Sequence, residues 1–365
     1  MSMHILFCVY HNLNSEERSR ELLEIFSELG DIDIVSRTPQ LVGSNKHIKS
    51  VYASEYVEYI RASIKLVIRS RYDLFVLHDN YDSLLIPFIR GLHRNAKIIY
   101  DSSEFYPLYE LANTVLPLII KLKSCLLAVC EKWFIRKTDV VIATNRERAS
   151  IMKRYYRIEK DIVVYDNMHY IVDEYNMIAC EEKYSRFFNE GKFTILNAGG
   201  IAVDRYIYEI SNAVADLGDD YMLLIVGGGD EGDIKQFANQ YRDIDNIKYL
   251  GFVPRNELKF LIQKANVCFT GFKPTGVNNI YCASGKTYES LMEGTPILCS
   301  DNPPLRKLCS NFGVGIASND FKSAVVQIRH EYETYKKNAL LFKEKSNYLE
   351  RHDQLICEIR SVLNI

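Results

Sequence analysis

The sequence predicts an α/β fold built from two doubly wound, Rossmann-like domains that face a cleft. Short apolar runs alternate with helical patterns, the alternation stops once, and it then restarts with strands that run into glycine. Strand and helix in alternation produce parallel sheets that helices cover on both faces. With 365 residues, the chain is long enough to form two separate cores.

Apolar runs define the strands of a predicted first domain, residues 1–168. These runs are residues 4–10, 31–35, 74–79, 97–102, 139–144 and 162–167. The helix after the first strand is expected to start at Ser15, with Glu16 and Glu17 in its first turn, and to stop at Gly30.

A polar segment, residues 169–192, is a predicted linker to a second domain, residues 193–330. The strands predicted there are residues 193–200, 221–229, 247–253, 267–272, 295–301 and 313–317. Residues 331–365 carry helical patterns only, and we expect this C-terminal segment to pack back toward the first domain.

The composition excludes several classes of protein. A net charge of −2 argues against a nucleic-acid partner. Nine scattered cysteines without a Cys-x-x-Cys pair predict reduced thiols in a cytoplasmic protein, and neither a metal site nor a basic leader sequence is expected.

The longest apolar stretch, residues 115–130, is interrupted by Lys121 and Lys123 and is not expected to span a bilayer. Between Lys121 and Lys137 basic residues outnumber one acid, Glu131, among large apolar residues. Two interpretations remain open: residues 115–137 attach to an anionic membrane surface, or they form a core helix with a solvated face.

The stretch IYDSSEFYP, residues 99–107, places Asp101, Ser102, Ser103 and Glu104 where a buried strand ends. Ligands of open α/β sheets bind at such strand tips, but loops and helix caps also collect polar residues there. The stretch alone does not decide between these explanations.

The second domain holds the better nucleotide-binding candidates. A helix capped by Ser284 and closed by Gly294 begins with Gly285 and Lys286, whose N–H groups and positive charge suit a diphosphate. Glu289, one turn further on, is placed to accept hydrogen bonds from ribose hydroxyls, or else it is a solvated acid. The glycine turns lack the dinucleotide fingerprint, so a nicotinamide or flavin cofactor is disfavoured.

Several motifs together resemble the retaining glycosyltransferases of the GT-B fold, most closely family four. They are GGI followed by Arg205, LLIVGGGDEGD, YLGFVPRNEL and KTYESLMEGTPILCSD, which span most of residues 193–317. In the first half, FVLHDNYDSLL and IIYDSSEFYP resemble the cleft segments of that family.

The resemblance assigns roles to residues of this chain. Arg205 and Lys286 are expected to neutralise the departing diphosphate, and Asp101 or Glu104 to orient acceptor or donor hydroxyls. The residues expected to bind the donor are Gly199, Gly200, Gly228, Phe252, Val253, Pro254, Tyr281, Ser284, Gly285, Thr287 and Glu289.

Two positions depart from the family pattern. Tyr281 stands where the first of two paired glutamates usually lies, and Ser103 stands at the position of a histidine. The residues that we expect on the acceptor side instead are Ser103 itself, His11, Arg18, His78 and Asp79.

The resemblance implies transfer of a sugar, with retention and without a metal or other cofactor, from a UDP- or GDP-linked donor to a glycan or lipid-linked acceptor. Such an enzyme would serve polysaccharide or glycolipid synthesis, in the cytoplasm or on the inner face of a membrane. Two alternatives remain: an epimerase of sugar nucleotides on the same fold, and a degenerate family member that only binds its ligand or a partner protein.

Overall fold

The structure is a computed structural model that describes residues 3–13, 16–38, 48–113, 117–168, 174–188 and 191–364. The chain divides into two compact units. The first contains the residues through Asp166 together with those from Tyr348 onward, and the second runs from Asn167 to Asn347. Each unit contains one parallel sheet with helices, which confirms the predicted α/β class with two doubly wound domains.

The sheet of the first unit has seven strands in the order β3-β2-β1-β4-β5-β6-β7. Their bounds are β1 Met3–Val9, β2 Gly30–Ser36, β3 Ile48–Tyr52, β4 Leu74–His78, β5 Lys97–Ser102, β6 Val140–Ala143 and β7 Val163–Val164. The order reverses direction between β1 and β4, and ligands of such sheets bind beside this point. The edge strand β3 was not predicted because it is exposed and carries Lys49 and Ser50 instead of an apolar run.

The helices of the first unit are α1 Glu17–Ser27, α2 Tyr56–Arg69, α3 Leu85–Leu92, α4 Leu108–Asn113, α5 Leu118–Phe134 and α6 Arg146–Tyr156.

The carboxylate of Glu16 caps α1 by accepting a hydrogen bond from the N–H of Ser19 at 2.6 Å; the predicted start, Ser15, lies outside the described residues. The predicted end at Gly30 is wrong. Gly30 opens β2, where a Cβ atom would lie 1.9 Å from the carbonyl oxygen of Met3.

The sheet of the second unit has six strands in the order β10-β9-β8-β11-β12-β13. The strands are β8 Phe193–Ala198, β9 Tyr221–Val226, β10 Ile247–Gly251, β11 Val267–Thr270, β12 Ile297–Cys299 and β13 Gly315–Ala317. The helices are α7 Met177–Tyr184, α8 Ile207–Leu217, α9 Glu231–Gln240, α10 Arg255–Lys264, α11 Val277–Ile280, α12 Gly285–Met292, α13 Pro303–Phe312, α14 Phe321–His330 and α15 Tyr332–Lys345.

The described part of the predicted linker belongs to the second unit, and the last helix packs with the first unit, as expected of the C-terminal segment. Helix α7 lies within the predicted linker, yet Cys180 and Tyr184 pack with Phe260 in a core of the second unit. The predicted C-terminal segment is divided: α15 packs against α12, whereas the last helix, α16 (Tyr348–Leu363), places Ile356 and Ile359 in the core of the first unit.

No helix in the described ranges combines the length and apolar content that crossing a bilayer requires. Helix α5 carries the basic, apolar surface predicted for residues 115–137, of which 115 and 116 lie outside the described ranges.

The inner face of α5 is buried and includes Glu131, which accepts a hydrogen bond from the hydroxyl of Tyr100 at 2.7 Å. Burial raises the pKa of Glu131 to about 7, although the Tyr156 and Tyr100 hydroxyls act in the opposite direction.

Glu131→Gln is expected to stabilise the protein at alkaline pH. The folded-state pKa of about 7 lies above the unfolded value of about 4.3, so the stability that Glu131 contributes is present at low pH and lost as the pH rises through 7. The free energy of unfolding of the variant should exceed that of the wild type by about 1 kcal/mol at pH 5 and by about 4 kcal/mol at pH 9.

Denaturant titrations at both pH values measure this difference. Glu344→Gln, at an exposed position of α15, is the matched control and should show no pH-dependent gain. An equal effect of both substitutions would contradict the assignment to Glu131.

Candidate functional site

Glycine turns follow β8 and β9 at the carboxyl edge of the second sheet, and they pack backbone against backbone. Gly227 has φ +136°, and a Cβ atom there would lie 2.0 Å from the carbonyl oxygen of Gly199. A Cβ atom at Gly229 would lie 2.4 Å from the carbonyl oxygen of Ile201. Only glycine permits this close approach of the two turns.

The outer side of the same turns is open. A Cβ atom at Gly199 or Gly228 would meet no atom within 4 Å, and one at Gly200 would meet the carbonyl oxygen of Gly228 at 3.4 Å. The main chain is therefore accessible there, as the approach of a phosphate to backbone N–H groups requires.

The start of helix α12 agrees with the sequence prediction. The hydroxyl of Ser284 accepts a hydrogen bond from the N–H of Thr287 at 3.4 Å, so Gly285 and Lys286 form the first turn. Thr287 is buried, and its hydroxyl finds no hydrogen-bond partner among the described residues.

Glu289 on α12 is 2% exposed, so it is not a solvated acid. Its carboxylate accepts a hydrogen bond from the ammonium group of Lys286 at 2.8 Å and lies 3.2 Å from the guanidinium of Arg255. Arg255 was missed in the sequence, although it follows Pro254 within the YLGFVPRNEL motif, because its partner lies 34 residues away along the chain. Two cationic side chains thus lie against the buried carboxylate.

Arg205 lies in a 3₁₀ turn, Val203–Arg205, that precedes α8. The turn ends at Tyr206, whose φ of 55° is left-handed and separates it from the helix. The guanidinium of Arg205 lies 4.3 Å above the ring of Phe272 and 3.7 Å from Asp204. Asp204 in turn accepts a hydrogen bond from the Asn279 side chain at 3.0 Å, which ties this turn to α11.

The remaining predicted donor-binding residues lie in loops of the same unit. Phe252 follows β10 and is 84% exposed, while Val253 is buried and Pro254 precedes α10. Tyr281 ends α11, and its N–H donates to the carbonyl of Val277 at 3.0 Å.

In the first unit, Arg18 was expected to face the acceptor and Asp101 to orient substrate hydroxyls. Both side chains are buried, which corrects these roles. Arg18 does not reach toward an acceptor, because its guanidinium is buried and donates to both carboxylate oxygens of Asp101 at 2.6–3.1 Å. Burial alone would lower the pKa of Arg18 and raise that of Asp101, but the ion pair outweighs both effects. Asp101 is thus part of the scaffold and is not exposed to reactants.

His78 extends this buried network. Its Nδ1 atom lies 2.8 Å from Asp101, and its Nε2 atom lies 3.5 Å from Asp79. Burial alone would lower the pKa of His78, but Asp79 and Asp101 raise it to about 10. The imidazole is therefore protonated at neutral pH and fully enclosed, which corrects its expected place on the acceptor side.

Asp79 links the network to the loop after β5. It accepts hydrogen bonds from the N–H groups of Ser103 (2.7 Å) and Glu104 (3.1 Å) and from the Ser103 hydroxyl (2.6 Å), and it lies 3.0 Å from Nε2 of His11. Burial alone would raise the pKa of Asp79, but His78, His11 and Ser103 hold it well below its ordinary value. Its backbone, at φ 58° and ψ −178°, occupies a region that is almost confined to glycine.

A pocket of about 430 Å³ opens in front of Asp79. It is lined by His11, Asp79, Asn80, Tyr81, Glu104, Tyr106, Leu111, Ile120, Lys123, Ser124 and Leu127. Of the predicted first-domain residues, His11, Asp79 and Glu104 reach this pocket together. Aromatic rings, carboxylates and an imidazole in one concavity suit a carbohydrate ligand.

His11, His78 and Asp79 also bring ring nitrogens and a carboxylate oxygen within 4.8 Å of one another, a donor set that could hold a metal ion. The expectation that the protein uses no metal stays a prediction.

Residues 181–339 match the family described as glycosyl transferases group 1. No curated protein sequence matches the chain significantly. The resemblance to GT-B glycosyltransferases is confirmed by this match together with the similarity to solved structures.

Three of these structures illustrate the fold. Sucrose-phosphate synthase from Thermosynechococcus elongatus has a TM-score of 0.74 at 15% identity, with 99% of each chain covered. HepE of Anabaena, solved with UDP and glucose, has a TM-score of 0.70 at 11% identity, with 98% of this chain and 100% of that one covered. WaaG, a glycosyltransferase involved in lipopolysaccharide biosynthesis, has a TM-score of 0.69 at 13% identity, with 96% and 98% covered.

Asp101→Asn should destabilise the protein by about 3–5 kcal/mol, since it leaves the buried guanidinium of Arg18 without a counter-charge. Chemical denaturation measures the loss. Asp161→Asn is the control, because the Asp161 side chain is 100% exposed in its pair with Lys153. Its removal should leave the stability nearly unchanged. Equal losses for the two variants would show that the buried pair has no special weight.

Proposed function

We propose that this chain, whose residues 181–339 match the group 1 glycosyltransferases, moves a sugar from a nucleotide-sugar donor to a hydroxyl group of an acceptor. The observation that carries the proposal is the buried carboxylate of Glu289 beside Lys286, on the helix that follows the open glycine turns. A carboxylate group can accept two hydrogen bonds from the hydroxyls of a vicinal diol.

In this proposal the second unit binds the donor. Ribose hydroxyls bond to Glu289, the diphosphate lies over Gly199 and Gly228, and the exposed ring of Phe252 contacts the base. Lys286 is 40% exposed, so it can turn from Glu289 toward a phosphate. UDP- or GDP-linked sugars are the expected donors, and the HepE complex with UDP and glucose supports the former.

Cleavage of the anomeric bond builds negative charge on the departing diphosphate. Arg205, Lys286 and the N-terminus of α12 are the groups that offset this charge, and preorganised donors of this kind lower a barrier by about 3 kcal/mol each. Because these cations already supply positive charge, the proposed reaction needs no divalent ion or other cofactor. Retention of configuration follows from the family resemblance and is part of the proposal.

The acceptor hydroxyl is proposed to enter the pocket of the first unit. His11 and Glu104 line it and contact the acceptor, whereas Ser103 and the strained Asp79 hold those side chains in place. The acceptor is a glycan or a lipid-linked glycan, and the likeness to WaaG agrees with a place in cell-surface polysaccharide synthesis.

Attachment to the cytoplasmic face of an anionic membrane is proposed through residues 115–137. On α5 the basic residues Lys121 and Lys132 lie beside an outward apolar stripe that includes Trp133. A basic amphipathic helix with a tryptophan binds anionic lipid through both charge and apolar burial. Nucleic acid is not an expected partner, given the net charge of −2.

Glu289→Gln and Arg205→Ala should each reduce sugar transfer at least 100-fold, because each removes a charged group that contacts the donor. A thermal-shift screen of UDP- and GDP-sugars first identifies the donor, and transfer of its radiolabelled sugar to lipid and glycan extracts then measures activity. Arg329→Ala is the control, since Arg329 on α14 pairs with Asp220 before β9, and the variant should retain activity.

Three outcomes would contradict the proposal. Full transfer by Glu289→Gln would place the donor site elsewhere. A changed nucleotide sugar formed without acceptor would indicate an epimerase, and donor binding without any turnover would indicate a binding protein.

A further inference from the structure

We infer that His11, His78 and Asp79 form a binding site for a Zn²⁺ ion, and that the bound ion blocks the pocket of the first unit against an acceptor. The site rests on the geometry of the three side chains and on the charges around them. Only its effect on sugar transfer rests on the proposed function, a reaction that itself needs no metal ion.

The three side chains converge. One ligand atom of each lies within 4.8 Å of those of the other two. Oδ2 of Asp79 is 3.0 Å from Nε2 of His11 and 3.5 Å from Nε2 of His78. The ligand atoms of a tetrahedral zinc ion lie about 3.3 Å apart, given metal–ligand bonds of about 2.0–2.1 Å. Both separations from Asp79 are close to this value, and the His11 side chain, which is 28% exposed, can turn to adjust the third.

The groups around these side chains also suit a metal ion. Nδ1 of His78, the other ring nitrogen, lies 2.8 Å from the carboxylate of Asp101. The hydroxyl of Ser103 donates to Oδ2 of Asp79 at 2.6 Å. In metal sites of proteins, a carboxylate behind a ligating imidazole and a hydrogen bond to a ligating carboxylate hold the ligands in orientation. The structure contains both features.

The buried charges favour a cation at this position. Asp79 and Asp101 are buried together with a single guanidinium, that of Arg18, so one negative charge of these three groups is left over. The proton on His78 balances this charge when no metal is bound. A Zn²⁺ ion can replace that proton at Nε2, and the proton then leaves to solvent. Because two of the three ligand atoms are imidazole nitrogens, Zn²⁺ is preferred over Mg²⁺ and Ca²⁺, which bind oxygen.

The site opens onto the pocket of about 430 Å³, because His11 and Asp79 line this pocket while His78 is enclosed. Three protein ligands leave the fourth position of a tetrahedral Zn²⁺ ion to a water molecule. A His11 side chain that holds the ion no longer contacts an acceptor hydroxyl. We therefore expect Zn²⁺ to inhibit transfer by competing with the acceptor, and not with the nucleotide sugar.

The test is a titration of the chelator-treated protein with CoCl₂, a spectroscopic substitute for Zn²⁺. One Co²⁺ ion per chain should give the visible absorption of a site with nitrogen and oxygen ligands. His11→Ala should weaken this binding at least tenfold. His4→Ala is the matched control, since His4 also lies beside an aspartate, Asp33, at 3.4 Å, but near the start of β1, and this variant should bind Co²⁺ as the wild type does.

Three results would overturn the metal site. They are no visible absorption, a thiolate-to-Co²⁺ band that places the ion on one of the nine cysteines, and equal binding by His11→Ala and the wild type. These spectra need no substrate, so they decide the site whether or not the chain is a transferase.

The blocking role is tested by kinetics of sugar transfer. At a Zn²⁺ concentration about ten times its Kd, the apparent KM for the acceptor should rise about tenfold, with the KM for the donor unchanged. An unchanged KM for the acceptor would overturn the blocking role. Absence of transfer by the metal-free wild type would instead count against the proposed transferase function.

Discussion

The ion pair between Arg18 and Asp101 is the interaction on which the carboxyl edge of the first sheet depends. Both groups are buried, so each is tolerated only because the other is present. Asp101 then holds His78, His78 faces Asp79, and Asp79 receives the N–H groups of the following loop. One charged pair thus anchors a network that runs through His78 and Asp79 to the loop after β5.

In the second unit, a buried carboxylate is again paired with cationic side chains, but one of these side chains is partly exposed. Glu289 is as buried as Asp101, but one of its partners, Lys286, is partly exposed and lies at the start of a helix. Such a partner can leave the carboxylate without crossing the protein interior, and Arg255 remains to balance the charge. Asp101, in contrast, has no partner that a ligand can replace. The difference in partner exposure separates a structural carboxylate from one suited to binding.

Local patterns predicted most of the fold and the start of helix α12. The strands and the Ser284 cap follow from short-range periodicity and helix chemistry, whereas the sequence left open whether Glu289 is buried or solvated. The burial of Arg18 does not follow from such patterns, because its partner is 83 residues away and an arginine on an amphipathic helix is ordinarily solvated. The edge strand β3 was missed for a related reason, since its pairing with β2 and not its composition makes it a strand.

Ser103 stands at the histidine position of the family motif, but the structure still places an imidazole, that of His11, beside Asp79. In the family that the sequence resembles, a histidine usually occupies this position. Here the hydroxyl of Ser103 and the Nε2 atom of His11 both lie within hydrogen-bond distance of the same oxygen of Asp79, at 2.6 and 3.0 Å. An imidazole therefore still stands beside this carboxylate and lines the pocket, but it comes from the loop after β1. The functional groups available in the pocket depend on which side chains contact Asp79. Comparison of residue 103 alone would wrongly indicate that the pocket lacks an imidazole.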